Sequence, residues 1–103
     1  MKVELLWWEG CPSHPEALAD LKRVLEEEGA KAEVELIEIE TDEQAAAERF
    51  VGSPTIRIDG ADAFAPAEAE PFGLTCRIYR LRDGRVSPTP DPEDLRQAVR
   101  RAT

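Results

Sequence analysis

The sequence has few of the side chains on which catalytic or metal chemistry is usually built. Histidine occurs once, at His14, and cysteine twice, at Cys11 and Cys76. That set is too small for a closed metal site within one chain, so no resident metal or other cofactor is expected. No apolar run reaches the roughly 18 residues of a membrane-crossing helix, so no membrane partner is expected. Basic residues are in the minority, 13 against 22 acidic ones, and the formal net charge of -9 repels polyanions over most of the surface. Nucleic acid is thereby excluded as an expected partner. Residues 1–10 lack the apolar core and small-residue cleavage site of a signal peptide. The default expectation is cytoplasmic, where two cysteines are free thiols rather than a staple.

What is present suits one globular domain. The 103 residues, 42% of them hydrophobic, are enough for a single core over residues 1–103, and no linker or internal repeat divides them. After Lys2, the run Val-Glu-Leu-Leu-Trp-Trp has apolar groups on both faces and predicts a central strand. Gly10-Cys11-Pro12 breaks it, and Ser13 with Glu16 forms a capping-box pair for a helix whose apolar stripe is Ala17, Leu18, Leu21, Val24 and Leu25. Gly29 supplies its left-handed stop. Residues 32–40 alternate Glu and aliphatic side chains and predict a half-exposed edge strand.

Thr41 and Gln44 cap a second, short Ala-rich helix closed by Gly52, and 55–58 is a strand ended by Asp59-Gly60. Residues 61–73 show no period. Residues 74–81 predict a further strand that turns at Asp83-Gly84, and Asp91-Pro92-Glu93-Asp94 starts a last helix with Leu95, Ala98, Val99 and Ala102 buried. The order β-α-β-α-β-β-α implies an α/β domain with a four-stranded mixed sheet, ordered 2-1-3-4, and helices on both faces.

That element order, with Trp7-Trp8-Glu9-Gly10-Cys11-Pro12 entering the first helix and Gly52-Ser53-Pro54-Thr55 entering the third strand, resembles the thioredoxin superfamily over nearly the whole chain. Arg82-Asp83-Gly84-Arg85-Val86 is similar to that family's strand-turn segment before its last helix. The resemblance implies a thioredoxin-like fold with Cys11 at a helix start, a cis Pro54 facing it, and Ser53 and Pro54 meeting extended substrates, with Trp8 walling the site. The usual Cys-x-x-Cys is here Cys11-Pro12-Ser13-His14, so the resolving thiol is missing from the motif. An imidazole cannot replace it, because only a thiolate displaces sulfur from sulfur to regenerate a disulfide.

Cys11 and His14 are therefore the candidate catalytic residues. Cys11 is expected to be the more reactive thiol and to titrate below the ordinary value of about 8.5, because first-turn amides and the helix dipole favour its thiolate. The expected function is a monothiol redox or thiol-transfer role, with a low-molecular-weight thiol or a protein thiol as partner. If the chain turns over, its class is a thiol-disulfide oxidoreductase. One alternative is a binding module that holds a soft metal ion or a partner protein through Cys11 and His14. Another, suggested by the likeness of Gly10-Cys11-Pro12 and Gly73-Leu74-Thr75-Cys76-Arg77 to small proteins grouped with alkylmercury lyases, is cleavage of an organomercurial. Cys76, set on a fourth strand antiparallel to the third, is expected to be a buried thiol roughly 10 Å or more from Cys11 at about 3.3 Å per residue, too far for a disulfide.

Overall fold

Strand β1, Val3–Trp7, runs through the middle of the sheet because its residues are apolar on both sides. Val3 and Leu5 face one layer and Leu6 the other, as the two-residue period of a strand requires. The computed structural model describes residues 1–64 and 71–102. β1 leads into helix α1, His14–Glu27, which carries the chain back so that β2, Val34–Glu38, pairs parallel to β1. Helix α2, Asp42–Ala47, then returns the chain to β3, Thr55–Ile58, antiparallel to β1 on its other side.

The sheet order is β2-β1-β3-β4, a mixed four-stranded sheet as expected, but its fourth strand is β4, Ala61–Asp62. This corrects the assignment of residues 74–81 to that position. Asp59 and Gly60 both have positive φ, 53° and 85°, and join Ile58 to Ala61 across a two-residue hairpin turn. Such turns match the twist of antiparallel strands, so the hairpin closes locally and takes the edge beside β3. The later segment forms only a short ribbon of its own: β5, Tyr79–Arg80, pairs with β6, Val86–Ser87, around Asp83-Gly84.

Helices lie on both faces. Ala17, Leu21, Val24 and Leu25 of α1 pack with Leu95, Ala98 and Val99 of helix α3, Pro92–Ala102, against Val3, Leu5, Ile56 and Ile58. On the opposite face Ala45 of α2 packs with Leu6, Ile39 and Phe50. Beside this second core, Glu4 is only 4% exposed and receives two guanidinium bonds from Arg57, at 3.2 and 2.9 Å. Arg57 also reaches the Glu48 carboxylate at 2.9 Å, so the charge that a central strand buries is neutralised from β3 and anchored to the end of α2.

Helix ends show where local reading succeeds and fails. Thr41 accepts a bond from the Gln44 amide at 3.0 Å, and Gln44 Oε1 accepts from the Glu40 amide, which realises the expected cap. Gly29 has φ 67° and stops α1 as expected. Ser13, in contrast, has helical backbone angles and makes no side-chain cap, so the Ser13–Glu16 capping box is not formed. The left-handed residue that ends α2 is Arg49, φ 55°, rather than Gly52. The Phe50 amide reaches back to the Ala45 carbonyl at 2.8 Å and completes that stop.

Asp91 caps α3. One carboxylate oxygen accepts from the Glu93 amide at 2.9 Å and the other from the Arg82 amide at 3.0 Å, tying the ribbon's turn to the helix start. The Arg82 amide does most to hold this carboxyl below the ordinary value of 3.8, against a smaller opposing effect of burial, with the Glu93 and Asp94 amides assisting. A lowered folded value stabilises the fold above that ordinary value, and the benefit disappears as pH falls through the folded one. Asp91→Ala is expected to lower unfolding free energy by about 1 kcal/mol at neutral pH. In urea titrations the gap between the two proteins should close on acidification below the ordinary aspartate range, and an unchanged gap would show that the cap is not electrostatic.

Candidate functional site

The site forms where β1 ends. Trp8 lies just beyond the strand and its amide donates to Ser53 Oγ at 3.1 Å, which joins the chain entering α1 to the loop before β3. The Ser53-Pro54 peptide is cis, as the resemblance implied. The Cys11 amide donates to the Trp8 carbonyl at 3.1 Å and turns the cysteine back toward that loop. Cys11 Sγ lies 3.6 Å from the Ser53 carbonyl and 3.7 Å from Ser13 Oγ. Ser13 thus faces the sulfur instead of capping the helix.

Cys11 is bonded to Cys76. The two form a disulfide with Cα atoms 5.6 Å apart, within the span a disulfide bridges. This corrects the expectation that Cys76 is a remote, buried thiol. The cause is the displaced fourth strand: with β4 supplied by Ala61–Asp62, the chain from Gly73 onward is free to return along residues 50–53. The Gly73 amide donates to the Phe50 carbonyl at 3.1 Å, the Ser53 amide to the Thr75 carbonyl at 2.8 Å, and the Arg77 amide to the Ser53 carbonyl at 2.9 Å. Ser53 and Cys76 are therefore partners in a parallel bridge, and Cys76 meets Cys11 by backbone pairing as well as by the covalent bond. Cys76 is exposed, whereas Cys11 is 4% exposed.

Two side chains hold this segment independently of the sulfurs. Arg77 is buried and pairs with Asp62 Oδ2 at 2.7 Å, approaches Thr55 Oγ1 at 3.4 Å, donates to the Phe64 carbonyl, and lies 4.8 Å from the centre of the Tyr79 ring. The Tyr79 hydroxyl donates to the Pro54 carbonyl. Neither residue is identified by the sequence reading. The available signal was a β-prone segment containing the chain's second cysteine, in a protein whose motif lacks a partner thiol.

The other expected site residues fall in different places. His14 is the first residue of α1, but its ring stacks on Trp7, with centroids 4.1 Å apart and planes at 18°, and Cys11 Sγ has Ser13 and Ser53 as its polar neighbours instead. His14 Nδ1 is buried without a hydrogen-bond partner among the described residues. Trp8 is half-buried against the α2-side core and covers Gly10, where an added Cβ would lie 2.4 Å from its ring. Both backbone polar groups of Ser53 are occupied by Thr75 and Arg77, so no further strand can pair there while residues 75–77 remain in position. The part of the aperiodic stretch 61–73 that covers 65–70 lies outside the described residues. Among the described residues no three His, Cys, Asp or Glu side chains gather to hold a metal, and no helix is long and apolar enough to cross a membrane.

No family model, no curated protein and no solved structure matches the chain.

Gly52 is the position on which the approach of the two segments turns. It has φ 147°, and a Cβ there would sit 2.8 Å from the Arg77 nitrogen and 2.9 Å from its Cα, against backbone that cannot swing aside. Gly52→Ala should push residues 75–77 off Ser53 and lower the effective concentration of Cys76 at Cys11 by about tenfold or more, equivalent to about 1.4 kcal/mol. Equilibration of each protein with reduced and oxidised glutathione measures this directly, and equal effective concentrations would refute the role assigned to Gly52.

Proposed function

We propose that the chain is a thioredoxin-like protein that exchanges thiols and disulfides, with Cys11 and Cys76 as its redox pair. The observation that carries the proposal is the disulfide between a buried cysteine at the start of α1 and an exposed cysteine on a segment held in place by its own hydrogen bonds. The sheet order, the helices on both faces and the cis Ser53-Pro54 peptide beside Cys11 support the thioredoxin-like part of the reading.

Exchange needs one thiolate to attack a substrate disulfide and a second to release the mixed disulfide that results. The motif itself contains only one thiol. Cys76 provides the other from 65 residues away in sequence, so release of the mixed disulfide is completed within the chain, and a low-molecular-weight or protein thiol serves only to reduce the internal disulfide again. Arg77, Tyr79 and the Ser53 bridge keep the second sulfur close when the covalent bond is absent, which makes reoxidation effectively unimolecular.

The rival reading is a structural staple that never exchanges. Reduction potential separates the two. Exposed disulfides are the more readily exchanged, so the pair should equilibrate with glutathione buffers, while a potential below about -300 mV would mark a staple and defeat the proposal. Thiol counting on the reduced and the equilibrated protein, under denaturing conditions, provides the readout.

A further inference from the structure

We infer that substrate sulfur bonds to Cys76 and that Cys11 is the resolving thiol, which inverts the order expected from the motif. The inference rests on the exchange function proposed above. Displacement at a disulfide proceeds along the sulfur–sulfur axis, so the nucleophile must reach the attacked sulfur from the side away from its partner, and accessibility decides which sulfur reacts. Cys11 is 4% exposed, with Sγ set between the Ser53 carbonyl and Ser13 Oγ, whereas Cys76 is exposed. The surface around Cys76 is open and shallow, formed with Ile78, Val86, Ser87 and Pro88, and Ile78 and Val86 are 72% and 65% exposed. A second molecule can reach Cys76 across this surface, while the Cys11 side is filled by the protein.

The polar contacts of Cys11 suit a group that departs and returns. In the disulfide its sulfur carries no hydrogen. Once reduced, the thiol can donate to the Ser53 carbonyl at 3.6 Å, and the thiolate can accept from the Ser13 hydroxyl at 3.7 Å. One sulfur therefore has a partner in each protonation state without moving.

In the reduced protein the Cys76 thiolate attacks one sulfur of a substrate disulfide R–S–S–R′, a Cys76–S–S–R bond forms, the substrate bond breaks, and R′–S⁻ leaves with the electron pair and takes a proton from water. Cys11 then loses its proton to water, its thiolate attacks Cys76 Sγ, the internal disulfide forms, and R–S⁻ leaves and is protonated. The protein dithiol is oxidised by two electrons and the substrate disulfide is reduced to two thiols. In the reverse direction, a dithiol substrate attacks Cys76 Sγ and Cys11 is the leaving thiolate.

Single Ser variants of each cysteine, reduced and mixed with equimolar 5,5′-dithiobis(2-nitrobenzoate), test the order. Circular dichroism of both variants checks that the fold is retained. Cys11→Ser should release one thionitrobenzoate at a rate within about threefold of the first phase of the natural protein, and should retain the other as a stable adduct that peptide mass mapping places on Cys76. Cys76→Ser should react at least about tenfold more slowly. The natural protein should release two equivalents and end as the internal disulfide. If Cys76→Ser reacts at the natural rate and keeps the adduct on Cys11, or if the two variants react alike, the inferred order is overturned while exchange itself stands. If the natural protein releases one equivalent and keeps a thionitrobenzoate adduct beside a free thiol instead of forming the internal disulfide, the exchange function fails and the order falls with it.

Discussion

The pairing of Ser53 with residues 75–77 is the constraint on which the rest of the site depends. Residues 71–78 have no regular element to hold them, yet Cys76 has to lie within a few ångströms of a sulfur 65 residues earlier. Two backbone bonds to one residue achieve this, and their geometry needs Gly52, because any side chain there would meet Arg77. The pairing then fixes its surroundings. Arg77 is directed inward to Asp62 on β4, and the Tyr79 hydroxyl is brought to the Pro54 carbonyl. A buried guanidinium is tolerable only with charge and hydrogen-bond partners, so β4 contributes an anion to the site as well as an edge to the sheet.

The same economy operates on the opposite side of β1. Glu4 sits in the central strand facing α2, where an unpaired carboxylate would be costly, and Arg57 from the neighbouring strand neutralises it while also binding Glu48. Two of the ion pairs, Arg57 with Glu48 and Arg77 with Asp62, join elements that the apolar cores do not join. Glu4, Arg57 and Glu48 link β1, β3 and the end of α2, and Arg77 with Asp62 links the segment that carries Cys76 to the sheet.

Much of the fold was legible because its signals are local. The apolar stripe of α1, the Thr41–Gln44 cap, Gly29 and the Asp91 helix start each involve residues a few positions apart. The principal error has a local origin too. Asp-Gly occurs at 59–60 and again at 83–84, and the chemistry that identifies a hairpin at the second applies equally at the first. Reading 59–60 only as the end of a strand moves the fourth strand onto residues 74–81 and carries Cys76 to the wrong end of the sheet. Ser13 illustrates a second limit. Its spacing to Glu16 fits a cap, but its hydroxyl lies by a sulfur, a competing partner that helix spacing does not reveal. Cys11, Ser53 and Pro54 were identifiable from short motifs, whereas Arg77 and Tyr79 belong to the site only through contacts made across the folded molecule.

The separation of 65 residues between the two cysteines makes their bond a clasp on most of the polypeptide. Opening it lets the unfolded chain explore many more arrangements, and the chain-entropy account assigns about 4 kcal/mol to a loop of that length. For a domain of this size that is a substantial part of total stability. Electron transfer through this pair would therefore change how long the molecule survives. The oxidised form would resist heat and proteases, and each reduction would bring the chain closer to degradation.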